Sequence, residues 1–183
     1  MKYFKILFIP IMLLIVGITI SCERDDICPA ITPTTPNLII DLLDYTDEDS
    51  SKNVFKLVVI GVDNDGALPG YEIVTSSQLV LPLITTDNTT QYALINNYVL
   101  DDNDTPDDDT DDFLSDESNI DIITINYSRT EVFVSRACGY KTIYENVTVQ
   151  IESDEDNWIE SIQPLNSNQS VEDETETHFN LFH

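Results

Sequence analysis

Chemistry in this chain would have to come from three thiols, two imidazoles and a dense set of carboxylates. Cys22 and Cys28 stand six positions apart in ITISCERDDIC, residues 18–28, directly after a long apolar run, and Cys138 follows far downstream in VSRACGYK, residues 134–141. A thiol can be acylated, oxidised to a disulfide or used as a metal ligand. The only histidines, His178 and His183, lie near the end of the chain. They could serve as base and partner, but no nucleophile arrangement accompanies them. No Gly-rich phosphate loop, GxSxG elbow or HExxH pair occurs. No catalytic residue and no cofactor is expected from these patterns.

The elements around the first cysteine decide its chemistry. Lys2 and Lys5 precede an apolar run from Ile6 to Ile20, interrupted by Pro10, Gly17 and Thr19. About 15 apolar residues are too few to span a bilayer comfortably but fit the core of an export signal. Ser21-Cys22 at its end resembles the lipobox of bacterial lipoproteins, with Thr19 standing where Leu or Val is commoner. That resemblance implies cleavage after residue 21, diacylglycerol on the Cys22 sulfur, and a membrane anchor that does not span. One acyl chain holds only marginally, whereas two or three are durable. Glu23, Arg24, Asp25 and Asp26 follow at once. They make a solvated tether, and they also resemble the acidic signal that carries Bacteroidetes-type lipoproteins to the outer face of the outer membrane.

If lipid occupies Cys22, then Cys28 and Cys138 remain in an oxidising compartment, where structural disulfides persist. A Cys28–Cys138 disulfide is the expectation, with two free buried thiols as the alternative. A metal site needs more ligands than two thiols, so none is expected there.

Removal of the leader leaves 162 residues, enough for one domain with a sizeable core. Lys2 and Lys5 leave with it, so 34 acids face six bases, a formal charge of −28. No Lys or Arg occurs between Lys56 and Arg129 or after Lys141. Such a field repels nucleic-acid phosphates and anionic lipid surfaces, which argues against both nucleic acid and anionic lipid as partners. Residues 101–121 hold eleven acids and no base. Asp107, Asp109 and Asp111 fit the first three ligand positions of an EF-hand loop, but Asp112 stands where Gly is needed and Ser118 where Glu is needed. The insert reads as a self-repelling surface loop.

Short apolar and β-branched runs separated by turn residues recur along the rest of the chain. They fall at Leu38–Tyr45, Val54–Val62, Tyr71–Thr75, Gln78–Leu83, Gln91–Leu100, Asp121–Tyr127, Glu131–Ala137, Thr142–Ile151, Trp158–Ile162 and His178–Phe182. Ser128-Arg129-Thr130 is placed as a tight hairpin between two of them. No sustained helical periodicity follows the leader. The pattern predicts an all-β, antiparallel sandwich (immunoglobulin-like or similar), with a small β-barrel as the alternative. Residues 1–21 form the leader, 22–36 a Pro-rich tether and 37–183 one domain carrying the acidic loop.

CERDDICP, PTTPNLIIDLLD (33–44), INYSRTEVFVSRACGYKTIYENV (125–147), DNWIESI (156–162) and ETHFNLFH (176–183) together resemble a family of small Bacteroidetes-type lipoproteins that is a domain of unknown function. VSRACGYK is the most specific part. The resemblance implies an outer-membrane location, exposed at the cell surface, and a neighbouring outer-membrane β-barrel protein as partner. Arg136 in that signature could grip a ligand carboxylate, or could neutralise acids at a core edge. The expected role is a non-enzymatic binding or assembly module. A surface enzyme or a calcium-stabilised glycan-binding module is the other reading, and a pocket containing His178 or Arg136 would favour it.

Overall fold

The computed structural model describes residues 27–101 and 113–183. Their strands, in chain order, are β1 (Leu38–Asp44), β2 (Asp47–Ser51), β3 (Val54–Gly61), β4 (Val74–Ser76), β5 (Gln78–Leu81), β6 (Thr89–Asn96), β7 (Leu100–Asp101), β8 (Phe113–Leu114), β9 (Asn119–Ser135), β10 (Gly139–Ile151), β11 (Ser161–Pro164) and β12 (Phe179–Phe182). Among the described residues there is no helix. The chain forms two compact units. The larger comprises Thr34–Val132 and Thr142–His183; the smaller comprises Phe133–Lys141 with, of the described residues, those from 27 to 33.

The larger unit is a β-sandwich-like pair of sheets. In the first, β1 is central because three strands share its edges. β5 pairs antiparallel with Leu38–Asp41, β2 with Leu43 and Asp44, and β12 runs along the opposite edge. β11 extends that side. The second sheet has the order β10-β9-β6-β3-β4. Its backbone is the eight-residue antiparallel ladder from Thr89–Asn126 to Asn96–Asn119. β4 belongs to one sheet and β5 to the other, so the chain changes sheets at Ser77.

Alternation fills the space between the sheets. Leu38, Ile40, Leu42, Leu79, Leu81 and Leu181 come from one side, and Val59, Leu94, Ile123 and Ile125 from the other. All ten are fully enclosed. Two strands break the period of two. Val54 and Leu57 both point inward although they are an odd number apart, because β3 shifts register between them and Lys56 takes φ +47°. One extra residue re-aims the strand. The same slip at Asn146 (φ +54°) turns both Tyr144 and Val147 inward.

Two expectations about single segments are corrected. Ser128-Arg129-Thr130 is no hairpin: β9 runs unbroken through it, and the reversal lies beyond Ser135. The polar side chains there leave the backbone extended and find partners across the sheet. Arg129 donates from Nε to Asn88 Oδ1 at 2.8 Å and from Nη1 to the Thr85 carbonyl, and Thr130 Oγ1 donates to Glu145 Oε2 at 2.6 Å. The expected all-β, antiparallel sandwich-like fold is present, with one strand pair, β1 and β12, running parallel from Ile40–Phe179 to Leu43–Phe182. The segment expected as a strand from Trp158 begins its ladder only at Ser161. The Trp158 and Ile159 amides instead donate to the two carboxylate oxygens of Asp121, at 3.3 and 2.8 Å. Asp121 is fully buried, and burial raises its pKa against the pull of those two amides.

Of the acidic insert, residues 102–112 lie outside the described residues. Its described flanks pair as a ribbon, Leu100 with Leu114 and Asp101 with Phe113.

Candidate functional site

The smaller unit gathers the residues that the sequence singled out for thiol chemistry. β9 ends at Ser135, whose Oγ accepts the Cys138 amide at 3.0 Å. Gly139 takes φ +73°, a conformation glycine enters without a Cβ penalty, and the chain turns back into β10. Cys138 is thereby presented to Cys28, and the two form a disulfide with Cα atoms 4.9 Å apart. The expected pairing is correct. Cys22 and the acidic run Glu23, Arg24, Asp25 and Asp26 lie outside the described residues.

The surroundings of this disulfide are apolar and open to solvent. Ile27 and Ile31 are 81% and 93% exposed, Phe133 and Tyr140 57% and 66%. The two rings meet edge to face at 5.4 Å. A groove of about 580 Å³ runs between residues 27–32 and Val134–Ala137, and Arg136 lines it. Residues 27–33 and 133–141 contain two bases, Arg136 and Lys141, and no acid. Single exposed hydrophobics are ordinary, but here four large ones fall within the sixteen residues that one bridge ties together, and two of them, Phe133 and Tyr140, touch.

In the larger unit, His178 lines a separate cleft of about 230 Å³ with Asn166, Asn168, Ser170, Glu172, Asp173 and Glu176. Its ring is committed to the fold. The Ile39 amide donates to His178 Nδ1 at 3.0 Å while the His178 amide donates to the Ile39 carbonyl at 2.9 Å. Burial holds this imidazole below its ordinary pKa, against the hydrogen bond to the Asp173 backbone and the charges of Asp173 and Glu174. His183 is committed too: its ring packs edge to face on Trp158 at 5.6 Å, and its Nε2 lies 3.4 Å from the Lys52 carbonyl. Among the described residues, no group of three or more His, Cys, Asp or Glu side chains is arranged to hold a metal ion.

The burial of His178 sets a pH dependence. Unfolded, the imidazole titrates near 6.5; folded, it takes its proton only at lower pH. Between those values the unfolded chain binds more protons, so this contribution is complete above about pH 6.5 and is lost as pH falls through the lowered folded value. Urea midpoints should therefore fall more steeply between pH 7 and 5 in wild type than in His178→Gln. Equal slopes would show that the ring is not held neutral.

Residues 56–183 match the family of unknown function DUF6452. The chain belongs to that family. The match runs from Lys56 in β3 to the end of the chain, so the family region holds Cys138 and the tip aromatics but neither β1 nor Cys28. Neither curated proteins nor solved structures yield a match. Two features of the family region escaped the sequence reading. One is the carboxylate clamp of Asp121. The other is the exposed pair Phe133 and Tyr140.

Proposed function

We propose that this chain is a lipid-anchored envelope protein of the Bacteroidetes type, held to the outer membrane through Cys22, exposed at the cell surface and acting as a non-enzymatic binding or assembly module. The observation that carries this reading is the open apolar patch around Cys28–Cys138, whose first cysteine stands six residues after Cys22. An anchored module that works by contact needs a rigid surface next to its tether, and a disulfide supplies one. The commitment of both imidazoles to backbone and aromatic partners supports a role without catalysis. The VSRACGYK signature supports an outer-membrane β-barrel protein as the partner.

Cys22→Ala should move the protein from the detergent phase to the aqueous phase in a partition assay, while wild type stays with the detergent. A variant that still partitions with detergent would mean that the apolar run is itself the anchor. Co-purification of a barrel protein with the tagged, lipidated chain tests the assembly role.

The cleft beside His178 favours the second reading, a glycan-binding module. Its amides, hydroxyl and carboxylates are the groups that hydrogen-bond sugar hydroxyls, and binding of neutral oligosaccharides that is lost in Asn166→Ala would support it.

A further inference from the structure

The apolar patch has its own logic once its distance from the anchor is bounded. Ile27 is five residues after Cys22, and a fully extended chain covers about 3.3–3.6 Å per residue, so the patch begins within roughly 18 Å of the lipidated sulfur. A surface held that close meets the bilayer at a high effective concentration. Its chemistry also matches a membrane–water interface rather than open solvent. Ile27, Ile31 and Phe133 offer bare hydrocarbon, Tyr140 a ring with a polar tip, and Arg136 and Lys141 long stems ending in cations. Tyr, Lys and Arg are the side chains that settle at headgroup level, with apolar bodies inward and polar ends in water. The formal charge of −28 obscures this, because all the acids lie outside residues 27–33 and 133–141.

We propose that Ile27, Ile31, Phe133 and Tyr140 insert into the interfacial layer of the membrane that holds the lipid anchor, so that the chain rests on the bilayer through its smaller, disulfide-tied unit. This rests on the lipidation of Cys22. The acidic run Glu23–Asp26 belongs to the tether, so the attraction comes from the apolar side chains and should hold on zwitterionic lipid and in high salt.

The test uses the lipidated chain extracted from membranes and reconstituted into phosphatidylcholine vesicles, with and without brominated acyl chains. Trp158 is the only native tryptophan, and its indole Nε1 donates to the Leu94 carbonyl in the larger unit. In Tyr140→Trp, the added emission should be blue-shifted and largely quenched by brominated lipid, while the Trp158 emission of wild type is not. Adding Ile31→Ser and Phe133→Ser should remove most of that quenching without releasing the protein from the vesicles. Flotation with vesicles but no quenching of the added indole overturns the docking and leaves the anchor standing. Failure of wild type to float overturns both. Shielding of the added indole from aqueous iodide in native membranes, absent in pure lipid vesicles, overturns lipid docking in favour of a protein partner.

Discussion

Reduction of Cys28–Cys138 should lower the stability of the folded chain by about 2 to 5 kcal/mol. The bridge joins positions 110 residues apart, and in the chain-entropy account closing a loop of that length removes about 5 kcal/mol of freedom from the unfolded state. The native state gives some of this back. Residues 27–31 and 33 are exposed, and Cys28 and Cys138 are the covalent tie across the smaller unit. Once the tie is cut, that segment regains backbone freedom in the folded protein, each residue worth about 1–2 kcal/mol when fully released. The net loss therefore falls below the full loop term. Denaturant midpoints of oxidised and reduced protein measure it, and a non-reduced digest should show the two cysteine peptides linked. Hydrogen exchange divides the effect between the units: in the folded, reduced protein, protection should drop at residues 133–141 and persist along β6 and β9. Equal midpoints before and after reduction would mean that the bridge constrains neither state.

Most of the strand positions were legible because burial on one face imposes a period of two. Leu79, Leu81 and Leu83, and likewise Ile123, Ile125 and Tyr127, are buried as that period requires. What stayed hidden follows from causes that a local pattern does not carry. β2, DEDSS, is exposed at every position and pairs along one edge only, so it has no apolar face to read. The parallel partnership of β1 with β12 joins positions 139 residues apart, and nothing in either strand names the other. The slips at Lys56 and Asn146 are backbone conformations of residues with ordinary side chains. The turn residues at 128–130 misled because Ser, Arg and Thr at the surface of a long strand look like a loop until their cross-sheet partners are known. At the candidate site the cysteine pairing was legible from compartment chemistry. The exposure of Ile27, Ile31, Phe133 and Tyr140 around it was not, since a short apolar run reads as buried whatever its surroundings.

Alkaline unfolding should be steep, because three buried tyrosines hold one stretch of chain. After β5 the segment Pro82-Leu83-Ile84 leaves the sheet with its carbonyls turned inward. Tyr92 donates to the Pro82 carbonyl at 2.5 Å, Tyr144 to that of Leu83 at 2.9 Å and Tyr127 to that of Ile84 at 2.9 Å. Thr90 completes the clasp by accepting the Ile84 amide at 3.0 Å and sharing a hydrogen bond of 2.6 Å with the Tyr127 hydroxyl. Each phenol is a donor to an acceptor that cannot donate back, so a phenolate would lose its hydrogen bond and face a carbonyl oxygen. Burial first, and then the neighbouring tyrosines, push Tyr92 and Tyr144 up to about 12, and burial raises Tyr127 as well. In the unfolded chain all three titrate near 10. Between about pH 10 and 12 the folded state therefore holds protons that the unfolded state has lost, and stability falls as pH rises. Tyr92 and Tyr144 thus contribute stability that is fully present below pH 10 and is lost as pH rises to about 12. Absorbance at 295 nm should show part of the tyrosines ionising late, together with loss of the β-sheet circular dichroism signal. Tyr144→Phe separates the clasp from general alkaline damage because its effect changes sign. At pH 8 it should cost about 1–2 kcal/mol, for the Leu83 carbonyl loses its donor, whereas above pH 11 the missing phenol should make the fall shallower. A single tyrosine titration near pH 10 with the sheet signal intact would contradict the clasp.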